Sequence, residues 1–169
     1  MILWHLGATA AIVYVSLGRR RIDYRCILLG AIVPDAIDAV LSAVTDLPQR
    51  SVAHSLLAPV AVSIAIILGL RGERRLAWFG VGVGWLLHLA LDGMWGEPRI
   101  FFWPAFGSAW PPGALGPFSL DVLTHPLDHL GLWGLEIAGA LLLLWFWVAF
   151  EFGDEDRRRA WLKDGHLRA

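Results

Sequence analysis

The sequence predicts an all-α protein, a polytopic membrane bundle of about five transmembrane helices with the N-terminus outside and the C-terminus cytoplasmic. Three observations carry this. Hydrophobic residues make up 57% of the 169-residue chain and charged residues only 17%, where a soluble domain carries about 25% charge. Mean hydropathy is +0.58. Finally, five apolar runs approach the roughly 20 residues that a spanning helix needs, and the basic residues fall on alternate sides of them.

The first run is residues 2–17, ILWHLGATAAIVYVSL. It has no basic leading region, and arginines follow rather than precede it, so it reads as a retained helix and not a signal peptide. The second, 26–42, is interrupted by Pro34, Asp35 and Asp38. The third covers 52–70, the fourth 76–95 and the fifth 131–150. Between the last two, residues 96–130 are rich in Gly, Pro and aromatics. Their stretch FFWPAFGSAWPP reads as an interfacial loop or re-entrant piece rather than a sixth span, because prolines interrupt helices. Residues 1–150 form one integral-membrane domain on this reading. Residues 151–169 form a charged cytoplasmic tail, read mainly as solvated, with contact to anionic lipid as the other reading. The single cysteine, Cys26, excludes an intramolecular disulfide and reads as a small buried apolar residue.

Charge sets the orientation. The segments assigned to the cytoplasm hold Arg19, Arg20, Arg21, Arg25, Arg71, Arg74, Arg75, Arg157, Arg158, Arg159, Lys163 and Arg168. The outer segments hold only Arg50 and Arg99. Basic residues favour the cytoplasmic side. The location implied is a prokaryotic inner membrane, multi-pass, with lipid as partner and no nucleic acid expected.

On this topology the ionisable residues share one depth. His5, Asp35, Asp38, Arg50, His54, His88 and Asp92 all fall in the outer half, as do His125, Asp128, His129 and Glu136. A carboxylate at mid-membrane costs about 2.5–3.5 kcal/mol, so such groups face an interior or wet cavity and find partners there. Asp35 and Asp38 are three apart; Arg50 and His54, His88 and Asp92, and His125 and His129 are four apart. Each spacing places a pair on one helical face. Two chemistries use such a cluster: divalent metal binding and a proton or ion relay. A relay continues across the bilayer. Here the inner halves PVAVSIAIILGL and LAWFGVGVG are apolar, which favours a blind metal pocket. Taken singly, His5 is unremarkable, His54 reads equally well as an interface residue and Arg50 as a loop arginine. Asp121 and His166 read as surface residues, and Glu136 as neutral or paired with Arg99. Asp35/Asp38 and His88/Asp92 are harder to dismiss, being costly inside apolar runs.

The early His5, VPDAID at 33–38, RSVAHSLL at 50–57, HLALD at 88–92 and FFWP at 101–104 follow one another in an order and spacing that resembles the YdjM-like family of membrane-bound predicted metal-dependent hydrolases. A more distant likeness is to zinc-dependent phospholipase C and the single-strand nucleases of that fold. That likeness implies one metal held by Asp35, His54, His88 and Asp92, a second shared between His5 and Asp92, and a third at His125 or His129. The HxxxE pair expected of the third site is absent, with HPLDH and a distant Glu136 in its place, so one or two metals are expected.

The expectation is therefore a membrane-embedded hydrolase of a phosphoester or related bond in a lipid or lipid-linked substrate. Its metal ligands are His5, Asp35, His54, His88 and Asp92, its ion zinc, with manganese or iron as alternatives. Arg50 clamps an anionic oxygen. Asp38 is a ligand, a general base or the partner that holds a histidine tautomer. The alternative is a non-enzymatic protein, a metal or proton transporter or an assembly factor, using the same cluster.

Overall fold

Helix α1 (Ile2–Leu17) matches the first apolar run residue for residue. The second run is two helices, α2 (Tyr24–Gly30) and α3 (Val33–Val44), separated by a turn at Ala31 and Ile32. Pro34 lies in the first turn of α3, where its missing N–H has no intrahelical partner to lose. The third run does not begin as an α-helix. Val52–His54 is a 3₁₀ turn, and α4 (Leu57–Gly69) starts after it. Then come α5 (Gly72–Leu91), capped at its C-terminus by Asp92, and a short α6 (Pro98–Phe101). α7 (Leu130–Ala149) and α8 (Glu155–Asp164) complete the chain. The computed structural model describes residues 1–17, 22–111 and 126–167, and there is no strand among them. Arg19, Arg20, Arg21, Asp121, His125 and Arg168 lie outside the described residues.

Among the described residues, two segments are long and apolar enough to cross a membrane, Tyr24–Val44 and Leu130–Ala149. α1 and α4 are apolar but shorter; α5 opens on Glu73, Arg74 and Arg75. α7 leaves Leu141, Leu144 and Val148 exposed, a face that suits lipid.

Backbone-to-backbone contact at glycines holds the bundle together. α1 lies on α7 where Gly7 faces Gly139: a Cβ on Gly7 would sit 2.3 Å from the Gly139 carbonyl oxygen. Beside this contact Glu136 accepts the Leu3 backbone N–H at 2.9 Å, so its partner is the start of α1 and not Arg99. α2 crosses α5 in the same way, through Gly30 and Gly84.

One apolar cluster gathers Ala10, Val13, Tyr24, Ile27, Phe146, Phe150, Phe152 and Leu167. Leu167 lies beyond α8, so the chain past that helix packs on the bundle although α8 itself has no buried residue. α8 folds back on the start of α2, where the Tyr24 N–H donates to the Gly165 carbonyl at 3.0 Å and Arg25 Nη1 to the Leu162 carbonyl at 2.6 Å. Arg25 also pairs with Asp23 at 2.7 Å. Burial pushes the Asp23 carboxyl up, but the hydrogen bonds and charge of Arg25 outweigh it and hold it below the ordinary value. Mixed charge had hidden this docking, because its acceptors are backbone carbonyls and its buried apolar anchor is Leu167, near the end of the tail.

Candidate metal centre

Five stretches of chain bring seven polar side chains to one place. α1 contributes His5, α3 Asp35 and Asp38, the segment before the 3₁₀ turn Arg50, the turn itself His54, and α5 with its cap His88 and Asp92. His5, Asp35, Asp38, His54 and His88 are all buried. The side chain of Asp92 is 3% exposed and that of Arg50 24%. The helical pairing of Asp35 with Asp38 is as the spacing predicts. Arg50 and His54 meet the same group without an α-helix between them. The turn, not a shared helical face, brings both to Asp92.

Each histidine is held by one nitrogen and presents the other. His88 Nδ1 lies 2.8 Å from the Ala31 carbonyl, an acceptor only, so Nδ1 carries the proton. His54 Nδ1 donates to Asp38 Oδ2 at 2.7 Å. In the neutral tautomers these bonds select, both Nε2 atoms are bare lone pairs, and they face each other at 3.3 Å. Around them Asp35 Oδ1 lies 3.4 Å from His54 Nε2 and 3.5 Å from His88 Nε2. Asp92 Oδ2 lies 3.6 and 3.9 Å from the same two nitrogens. The buried Asp35 Oδ1 has no hydrogen-bond partner.

Four electron-rich atoms, all within 4.8 Å of one another, repel unless a cation lies between them. Ligand bonds of about 2.0–2.1 Å arranged as a tetrahedron separate the ligand atoms by about 3.3–3.4 Å. The two histidine nitrogens and Asp35 Oδ1 are 3.3–3.5 Å apart, close to that value, and Asp92 Oδ2 stands farther off, at 3.6 and 3.9 Å from the two nitrogens. The group Asp35, His54, His88 and Asp92 is thus able to hold a metal ion.

The remaining expected residues surround this group. Asp38 accepts four hydrogen bonds: Ser51 N–H at 2.6 Å, Ser51 Oγ–H at 2.8 Å, Ala53 N–H at 3.1 Å and His54 Nδ1–H. Its lone pairs are spent on the turn that carries His54. His5 stacks on His88 at 4.1 Å between ring centroids, bonds through Nδ1 to the Met1 carbonyl, and places Nε2 3.0 Å from Asp92 Oδ1 without the alignment of a hydrogen bond. Arg50 Nη2 donates to Asp92 Oδ2 at 2.9 Å, while its buried Nε has no partner. The four-residue group includes neither Asp128 nor His129, and His125 lies outside the described residues.

A family model described as YdjM inner membrane protein matches residues 1–154. The chain belongs to the YdjM family. No curated protein and no solved structure matches it. The match to the YdjM model takes in every residue of the centre and also α7, beyond the short motifs that suggested the family.

Two parts of this YdjM centre were not visible as sequence signals. The Ala31 carbonyl is a backbone group freed by the turn between α2 and α3, and no side chain announces it. Trp85 reads only as one more aromatic in an apolar run, yet its indole N–H donates 2.7 Å to the Ala53 carbonyl, beside His54. Trp85→Phe keeps the ring and removes that donor. Metal affinity is expected to fall about tenfold with helix content unchanged, measured by chelator competition and circular dichroism.

Proposed function

We propose that this YdjM protein is a membrane-embedded metal-dependent hydrolase that acts on a phosphoester or related bond of a lipid or lipid-linked substrate at the outer face. On this reading the chain crosses the membrane about five times, N-terminus outside. The observation that carries the proposal is the convergence of one ligand atom each from Asp35, His54, His88 and Asp92 within 4.8 Å, with the two histidine Nε2 atoms 3.3 Å apart. Two imidazoles and two carboxylates so placed suit zinc, and manganese or iron follow it.

A divalent ion supplies Lewis acidity and activates water toward a phosphoryl or acyl centre. The chain does the rest. The Ala31 carbonyl and Asp38 fix the tautomers of His88 and His54, so that both Nε2 atoms stay available. Asp38 is a positioning residue on this reading, since all its contacts go to the turn and to His54. Arg50 is tied to Asp92 by one nitrogen, and its buried, unpartnered Nε–H would donate to an anionic oxygen of a substrate drawn into the centre. His5 orients the far oxygen of Asp92, or serves as a ligand beside it. The apolar helices around the centre exclude bulk water and admit a substrate with a hydrocarbon tail.

The experiment is purification in detergent without chelator, metal analysis by mass spectrometry, and assay of the zinc- or manganese-loaded protein against a panel of phospholipids and lipid-linked phosphates. Metal-dependent release of a headgroup or phosphate, lost in Arg50→Ala while metal content stays, supports the reading. Bound metal with no turnover on any member of the panel favours a binding or transport protein.

A further inference from the structure

The segment that follows Asp92 exposes two kinds of surface that no single solvent accommodates. Trp95, Phe102 and Phe106 are 67%, 41% and 62% exposed. Three bulky aromatics fixed on a surface are poorly suited to bulk water. Glu97 and Arg99, in the same stretch, are also exposed. Charges are poorly suited to hydrocarbon. The backbone adds a third constraint. Residues 94–111 form a 3₁₀ turn, the four-residue α6 and a series of turns, and irregular backbone facing lipid does not occur in the hydrocarbon region. The headgroup layer tolerates all three, and it is where tryptophan rings with an apolar body and a polar edge accumulate.

The segment does not hang loose from the bundle. Met94 and Ile100 are fully buried and pack with Ala53, Trp85 and Leu89. The Phe101 carbonyl accepts the Leu56 N–H at 2.8 Å, two residues beyond His54. At the other end, Gly93 in the left-handed conformation (φ 64°) turns the chain directly out of Asp92. Trp103 stacks on Trp110 at 5.0 Å and closes the far side.

We infer that residues 94–106 are an interfacial anchor, a surface that binds the lipid headgroup layer and fixes the depth of the metal centre just beneath it. The partner is the membrane surface itself. Because the anchor joins the centre at both Asp92 and Leu56, the centre meets lipids at their headgroups and not at their acyl chains. For the substrate this last consequence rests on the hydrolase reading; the depth itself does not.

The test needs no metal and no turnover. In a Cys26→Ser background, Trp95→Cys, Phe102→Cys and Phe106→Cys are labelled singly with an environment-sensitive fluorophore and reconstituted into phospholipid vesicles. Leu141→Cys, on the exposed face of α7, serves as the hydrocarbon reference, and Arg159→Cys, on the exposed face of α8, as the aqueous one. The expected result is stronger quenching by headgroup-attached than by mid-chain spin labels at 95, 102 and 106, with the order reversed at 141. Aqueous iodide is expected to quench 159 most. Positions 95 and 106 behaving like 159 would place the segment in water, and behaving like 141 would place it in the acyl layer; either overturns the anchor. Failure here leaves the metal analysis untouched, and absence of metal leaves the depth result standing.

Discussion

His88→Ala/Asp92→Ala is expected to abolish transition-metal retention: if the centre binds an ion, content should fall from about one ion per chain to near zero in a protein that still folds. The size of the effect follows from the geometry. The two substitutions remove two of the four converging ligand atoms, and a two-ligand remnant holds a divalent ion weakly. They also remove two of the charges and lone pairs that oppose one another when no ion is present, so the cost to the fold is offset in part. What they leave is Arg50 without its Asp92 partner, and at 24% exposure its guanidinium reaches water. Mass spectrometry of metal content beside circular dichroism and size-exclusion profiles reads both properties. Should the double variant aggregate, His88→Gln removes one imidazole ligand with a smaller change of shape and is expected to lower occupancy on its own. A wild-type protein that takes up no zinc or manganese even on reconstitution would refute the hydrolase mechanism. The facing Nε2 atoms would then share a proton.

Gly84→Ala is expected to be the most damaging single change outside the centre. Its Cβ would lie 1.9 Å from the Ile27 carbonyl oxygen and 3.0 Å from the Ala31 nitrogen. Both are backbone atoms and cannot rotate away. Overpacking ordinarily costs about 1–3 kcal/mol and occasionally more, and a collision of two helix backbones belongs at the upper end. The damage also reaches the chemistry, because separating α2 from α5 pulls the Ala31 carbonyl from His88 Nδ1. Gly134→Ala is the control. Nothing lies within 4 Å of its added methyl, and exchanging Gly for Ala in a helix is worth about 0.5–1 kcal/mol in the favourable direction. Thermal unfolding in detergent, with metal content measured in parallel, is expected to show a large loss for the first and a small gain or no change for the second.

The reasons these features were or were not legible are physical. α1 and α7 were readable because an uninterrupted apolar run has one local solution in lipid, the helix. The convergence of Asp35, His54, His88 and Asp92 was readable from cost: ionisable groups in apolar runs need partners, and they lay at one depth where they could find one another. The break at Ala31 and Ile32 was less so. Pro34 marked an interruption, but whether a proline kinks a helix or starts a new one depends on where the preceding backbone finds its hydrogen bonds. The 3₁₀ turn at His54 was hidden for a related reason. It exists because Asp38 collects the N–H groups of Ser51 and Ala53, a tertiary contact that local spacing cannot reveal. The docking of α8 was hidden because its acceptors are the backbone carbonyls of Leu162 and Gly165, which no side chain announces.

The Gly7–Gly139 contact also imposes an order of events. α1 emerges from the ribosome well before α7, since the hydrogen bond beside their contact joins residues 133 apart. Synthesis proceeds at roughly 5–20 residues per second, so α1 waits several seconds or longer before the surface it seats on exists. Throughout that interval His5 belongs to a helix that has not yet found its neighbour, whereas Asp35, His54, His88 and Asp92 come from a central stretch already complete. Ion capture by those four can precede closure of the bundle, and an ion already in place would give α1 a charged template to close upon.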